Sequence, residues 1–121
     1  MHPTIYHNPR CSKSREALAL LQAKAQDPAV IDYLQTPLDL MQLQELRQLL
    51  GIPARELLRE SEEAYASLGL DDPDLSEEAL LAAIAAHPVL LQRPIVVNGQ
   101  RAVIARPAER LLMVLDQRLG L

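Results

Sequence analysis

Cys11 is the only cysteine in a chain of 121 residues, and the residues around it are polar. Arg10, Lys13 and Arg15 place three cations close to it in the sequence. A thiol reacts as its thiolate, and nearby cations favour that form. A cysteine that only fills a core is expected among apolar residues instead. We therefore predict that Cys11 is a nucleophile.

The elements on either side of Cys11 support the same prediction. Thr4–His7 is typical of a short strand, Asn8-Pro9 ends it, and the helical period begins at Ser12. The free N–H groups and the dipole at a helix N-terminus stabilise an anion. We therefore expect the pKa of the Cys11 thiol to be lowered, with Ser14 and His7 close enough in sequence to contribute.

Other cysteine chemistries are excluded by spacing. A phosphatase-type loop needs an arginine where Ala17 stands, and a Cys-x-x-Cys pair needs a thiol where Ser14 stands. The three histidines do not have zinc-ligand spacing, so no metal is expected. A monothiol mechanism remains, and its resolving thiol must come from another molecule.

The composition narrows the class of protein. The formal net charge of −4 argues against nucleic-acid binding, because phosphate backbones require a basic face. No apolar run approaches the roughly 20 residues of a membrane span, and the N-terminus lacks a signal-peptide pattern. A lone cysteine is typical of a reducing compartment, so we expect a cytoplasmic protein with no membrane partner.

The remaining elements predict an α/β fold. A second strand at residues 30–33 would complete a parallel βαβ unit, and a hairpin with its turn at Asn98-Gly99 would follow much later. A last helix is predicted from Pro107, and its apolar face would contain Leu111, Leu112, Leu115 and Leu119. Between the two sheet segments, helices are expected near residues 37–50, 54–58, 62–68 and 77–87. Thr36 is expected to cap the first and Gly51 to end it, and Ser76 is expected to cap the last. The prediction is one domain over 1–121 with an all-helical insertion at about 37–91.

Four blocks of the chain resemble the glutaredoxin-coupled arsenate reductases. They are residues 6–15, Leu57-Leu58-Arg59, residues 93–97 and Arg106-Pro107, and they follow the order of that family. The Arg-Cys-Ser-Lys-Ser form is typical of a chromosomal branch. The resemblance implies a thioredoxin-like fold, arsenate or a similar oxyanion as substrate, glutathione as co-substrate, glutaredoxin as partner and no bound cofactor.

The resemblance also implies roles for seven residues, each shared with the family's motifs. Cys11 would attack arsenate, and the substrate-binding residues would be Arg59, Arg93 and Arg106. His7 and Ser14 would support the thiolate. Pro94 is the candidate for the cis-proline that faces the thiol in thioredoxin-like folds.

Two alternatives remain open from the sequence. The first is a related monothiol oxidoreductase that acts on another substrate. The second is a binding module similar to the Spx regulators, which share this fold and contact RNA polymerase. Many Spx regulators carry a Cys-x-x-Cys switch that this chain lacks.

Overall fold

The computed structural model describes residues 2–25 and 27–115, and these fall into two compact units. One unit contains the described residues up to Tyr33 together with those from Arg93 onward. The other is Leu34–Gln92, and the prediction of one domain with a helical insertion at about 37–91 stays a prediction. No described helix is long and apolar enough to cross a membrane.

The first unit is a four-stranded mixed sheet with one α-helix and one 3₁₀ helix. Its elements are β1 (Thr4–His7), α1 (Ser12–Lys24), β2 (Ala29–Asp32), β3 (Ile95–Asn98), β4 (Arg101–Ile104) and the 3₁₀ helix Ala108–Val114. The strand order is β2-β1-β3-β4. β1 and β2 are parallel, as the βαβ prediction requires, and the other two pairings are antiparallel.

The core of this unit lies between the sheet and its two helices. Ile5 and Val96 project from the central strands and are fully buried. Leu21 of α1 and Leu111 of the 3₁₀ helix pack into the same apolar cluster. This packing fixes α1 against the sheet and therefore fixes the position of its first turn, where Cys11 lies.

Strand β2 begins one residue earlier than predicted. The Ala29 N–H donates to the Pro3 carbonyl at 2.8 Å, and Thr4 pairs with Ala29, so the parallel ladder starts at Ala29. The ladder ends with His7 beside Asp32. Tyr33 therefore lies outside the strand.

The hairpin turn is also displaced by one residue. Asn98 pairs with Arg101 in the ladder, which leaves Gly99 and Gln100 as the turn. Gly99 has a φ of +63°, a region that favours glycine. The Asn98 side-chain amide donates to the Val114 carbonyl at 2.9 Å and so anchors the last strand residue.

The predicted last helix is a 3₁₀ helix, Ala108–Val114, and Leu115 is already extended. Hairpin side chains donate to the carbonyls at its end, Asn98 to Val114 and Arg101 to Met113. Leu111 and Leu115 are buried as predicted, and Leu112 is half-buried. The predicted contribution of Leu119 lies outside the described residues.

The second unit is helical. It contains α2 (Leu40–Leu50), α3 (Glu63–Ser67), α4 (Glu77–Ala86) and the 3₁₀ helices Ala54–Leu57 and Pro88–Leu90. α2 ends at Gly51, whose φ of +67° suits the left-handed C-cap that the sequence predicts. Ser76 caps α4 by accepting from the Ala79 N–H at 3.0 Å, also as predicted.

The prediction that Thr36 caps α2 is wrong. Asp39 is the N-cap, because its carboxylate accepts from the Gln42 N–H at 2.8 Å. The Gln42 side-chain oxygen in turn accepts from the Asp39 N–H at 2.9 Å, which completes a capping box. A cap further along the chain delays the start of the helix to Leu40.

Candidate active site

Cys11 lies at the junction of β1 and α1, where it is the N-cap residue of the helix. Its backbone N–H donates to the Asn8 carbonyl, and its carbonyl accepts from the Arg15 N–H, both at 3.0 Å. The Asn8 side chain also accepts from the Arg10 N–H at 3.0 Å. These bonds hold the loop in one conformation and leave the Cys11 side chain partly exposed.

The pKa of the Cys11 thiol is lowered to about 7 by its surroundings. Burial raises this pKa, but three hydrogen-bond donors outweigh it: the Ser14 N–H, the Arg93 guanidinium and the Lys13 N–H. The charge of Arg93 lowers the pKa further. The Cys11 side chain forms no N-cap hydrogen bond with the helix. The donors therefore act by stabilising the charged thiolate. About half of Cys11 is therefore ionised at neutral pH.

Three polar side-chain atoms of this unit are buried without a hydrogen-bond partner among the described residues. They are His7 Nδ1, Ser14 Oγ and Arg93 Nε. Ser14 is completely buried, and His7 is only 6% exposed. Buried polar atoms normally have a partner, so these three can accommodate the oxygen atoms of a bound anion.

His7 is held mainly in its neutral form. Burial lowers its pKa below 6.5, Asp32 raises it, Arg15 lowers it, and a hydrogen-bonding contact with the Ser14 backbone raises it. A neutral ring adds no positive charge beside the thiol. The resemblance implies that His7 supports the thiolate, and this stays a prediction. A neutral ring would do so as a polar group rather than as a cation.

Arg93 and Pro94 lie immediately before β3, and the Arg93–Pro94 peptide bond is cis. Pro94 is buried, and its carbonyl accepts from the Ala105 N–H at 2.8 Å. The structure therefore brings Arg93 to Cys11 from a distant part of the sequence. Since Arg93 is only partly exposed, its charge is screened less than that of a surface arginine.

Arg106 lies on an exposed turn after β4. Its backbone N–H donates to the Ile104 carbonyl at 3.0 Å, and its guanidinium bonds to no described residue. The Arg106–Pro107 bond is a second cis peptide, which the sequence analysis did not single out. Unlike Arg93, Arg106 is not among the groups that lower the thiol pKa.

Arg59 belongs to the helical unit. Its side chain is 14% exposed, and its Nε donates to Glu62 Oε2 at 3.3 Å. Its backbone N–H donates to the Leu90 carbonyl at 2.7 Å. Its role in substrate binding stays a prediction from the family resemblance.

Sequence reasoning missed Asp32, which was predicted only as a strand residue. Asp32 is the parallel-strand neighbour of His7 and acts on its pKa. An acidic residue at the end of the second strand is the signal that could have identified it. Across the described ranges 2–25 and 27–115, no three His, Cys, Asp or Glu side chains form a group that could hold a metal ion.

Comparison with known proteins gives concordant results. The ArsC family matches residues 6–114. The uncharacterized protein YfgD of Escherichia coli K12 is 50% identical over 91% of this chain and 93% of its own length. An arsenate reductase of Neisseria meningitidis serogroup A is 48% identical, over 92% of this chain and 96% of its own length.

A solved structure of a relative has the same fold. An arsenate reductase from Vibrio cholerae superimposes with a TM-score of 0.92 at 48% identity. The match covers 95% of this chain and 98% of that structure. The chain therefore has the thioredoxin-like fold that the resemblance predicts.

Proposed function

This chain belongs to the ArsC family, and we propose that it reduces arsenate to arsenite through a thiol adduct on Cys11. The single observation that carries the proposal is the contact of Arg93 with a thiol whose pKa is lowered to about 7. A thiolate beside a guanidinium has both the nucleophile and the anion-binding group that the reaction needs. Relatives named arsenate reductase support arsenate as the substrate.

The first step is displacement at arsenic. Cys11 sulfur forms a bond to arsenic, an As–O bond breaks, and the oxygen leaves as water after accepting a proton. Thiolate and arsenate are both anions, so positive charge and N–H donors must offset their repulsion. Arg93 and the first turn of α1 supply both.

The second step is reduction by an external thiol. That thiol attacks Cys11 sulfur, the S–As bond breaks, and its electron pair converts As(V) to As(III). A proton completes neutral arsenite, and the two sulfurs remain as a mixed disulfide. Since Cys11 is the only cysteine in the chain, a second molecule must supply this thiol. We assign that role to glutathione, with glutaredoxin reducing the mixed disulfide, in the cytoplasm.

The other predicted site residues have distinct proposed roles. Arg106 adds a second guanidinium to the oxyanion, and planar guanidinium groups bind such ligands bidentately. Ser14 Oγ orients the sulfur or an arsenate oxygen, and His7 supports the thiolate. Pro94 shapes the backbone beside the thiol. Arg59 is proposed to stabilise the reduced intermediate.

The test is arsenate-dependent NADPH oxidation in the presence of glutathione, glutaredoxin and glutathione reductase. We expect turnover with the wild-type chain and none with Cys11→Ser. Turnover that survives in Cys11→Ser would refute the mechanism. If arsenate gives no turnover while Cys11 still alkylates at neutral pH, the protein is a monothiol oxidoreductase for another substrate. If Cys11 is also inert, a binding function similar to that of the Spx regulators would replace the enzyme.

A further inference from the structure

The external thiol must reach Cys11 from solvent. The sulfur is partly exposed, whereas Ser14 and His7 are buried in the same unit. The groups that meet the incoming molecule are therefore the exposed side chains next to Cys11 in the loop and in the first turn of α1. Arg10 and Lys13 occupy these positions.

Arg10 is available to a ligand. It is exposed, and its guanidinium bonds to no residue that the structure describes. Its backbone is nonetheless held, because the Arg10 N–H donates to the Asn8 side chain at 3.0 Å. A fixed backbone with an uncommitted cationic end is suited to binding an anion that arrives from solvent.

Lys13 is nearly as available. Its Nζ lies 3.9 Å from Glu16 Oε2, and the two side chains are 53% and 60% exposed. Such exposed surface pairs contribute little to stability, so an incoming anion can replace Glu16. Arg15 differs from Arg10 and Lys13, because its Nη1 donates to the Pro9 carbonyl at 2.9 Å and is committed to the loop.

The local charge is opposite to that of the whole chain. The formal net charge is −4, yet the segment 7–16 carries three cations and a single carboxylate, with His7 mainly neutral. A potential confined to the thiol's surroundings accelerates the approach of anions and retards that of cations. It therefore discriminates among thiols by their charge.

We propose that Arg10 and Lys13 form a cationic rim that selects a small thiol carrying carboxylates as the reductant of Cys11. This inference rests on the proposed function for the identity of the second step. The rim binds the carboxylates while the thiol sulfur attacks Cys11 sulfur, and the bonds and electrons change as described above. The oxyanion is held by Arg93, so the rim acts on the reductant.

Thiol–disulfide exchange tests the rim without arsenate. The Cys11 thiolate attacks a symmetrical disulfide, forms a mixed disulfide and releases one thiolate, and the released thiol is measured. Glutathione disulfide supplies the anionic probe, and cystamine the cationic one. The ratio of the two rates is the readout, because a change in the thiolate fraction of Cys11 cancels in it.

We expect Arg10→Gln/Lys13→Gln to lower the anionic-to-cationic ratio about fivefold or more at 0.1 M salt. The estimate follows from about 1 kcal/mol for each unit charge at 4 Å in water. The matched control for Lys13→Gln alone is Lys24→Gln, because each removes one positive charge and Lys24 lies in the last turn of the same helix. Eleven positions at about 1.5 Å each place it roughly 16 Å from Lys13, beyond the screening length at 0.1 M salt.

An unchanged ratio in the double variant would overturn the proposal. A fall in Lys24→Gln equal to that in Lys13→Gln would also overturn it, because net charge alone would then account for the selectivity. Lys13→Glu is a second variant, and it should lower the ratio more than Lys13→Gln does. Absence of arsenate turnover in the wild type would refute the proposed function and leave the exchange ratio intact, so the two failures can be told apart.

Discussion

Replacing Arg93 by methionine should raise the pKa of the Cys11 thiol from about 7 to about 8. Arg93 contributes a hydrogen bond and a charge to the thiolate, whereas methionine retains similar bulk without either. A hydrogen bond to a charged group contributes about 1.5–3 kcal/mol. Since Cys11 and Arg93 are partly exposed, solvent screening reduces this to roughly 1.4 kcal/mol, or about one pKa unit.

The assay is the rate of reaction of Cys11 with a neutral aromatic disulfide between pH 5 and pH 10. At pH 7 the thiolate fraction should fall from about one half to about one tenth. Thiolates of higher pKa are stronger nucleophiles, with a Brønsted coefficient of about 0.4–0.5. The variant should therefore react about twofold more slowly at pH 7 but about threefold faster above pH 9. This crossing of the two profiles identifies an electrostatic effect.

Arg110→Met is the matched control. Arg110 is an exposed arginine of the same unit, and its guanidinium bonds to no residue within 2–25 or 27–115. In Arg110→Met, the midpoint of the Cys11 rate profile should stay at about pH 7. If Arg93→Met also kept its midpoint there, Arg93 would not stabilise the thiolate. If both variants shifted equally, the effect would be general rather than local.

Three further predictions concern stability. Ser14→Ala should raise the free energy of unfolding by about 1 kcal/mol, because it removes a buried hydroxyl that has no described partner. The same variant should lower arsenate turnover. Urea unfolding that shows a loss of stability above about 1 kcal/mol would contradict the prediction. Arg55 donates to the Tyr65 hydroxyl and to the carbonyls of Leu70 and Asp72. Arg55→Ala should therefore lower the free energy of unfolding, measured by urea unfolding, by about 2–3 kcal/mol. The control variant Arg110→Ala should lower it by less than about 0.5 kcal/mol. The pKa of His7 is lower in the folded state than the usual 6.5, so the unfolded chain binds the proton first and stability should fall as pH drops below about 6.5. This part of the pH dependence should disappear in His7→Gln, and an unchanged slope would show that other groups cause it.

Local signals predicted many of the elements well. The bounds of β1, the start of α1 at Ser12, the Ser76 cap and the Gly51 terminus all agree with the sequence analysis. Each depends on residues only a few positions apart, whose backbone preferences act without help from the rest of the fold. The errors occurred where two local signals competed. Asp39 capped α2 in preference to Thr36, because Gln42 could complete its capping box.

The 3₁₀ helix near the end shows a different limit. Its apolar spacing suits an α-helix, and the burial of Leu111 and Leu115 follows that spacing. The carbonyls at its end accept from hairpin side chains, that of Val114 from Asn98 and that of Met113 from Arg101. Nothing within the segment itself encodes these partners.

The sequence by itself determined that Cys11 would lie at a helix N-terminus, among cations and without a second thiol in the chain. It did so because a strand, a turn and a helix start are encoded within residues 4–15. Only the tertiary structure decided which charges act on the sulfur and on its neighbours. Antiparallel pairing of β1 with β3 brings Arg93 to Cys11, and parallel pairing with β2 brings Asp32 to His7. Burial then left the Ser14 hydroxyl without a hydrogen-bond partner among the described residues.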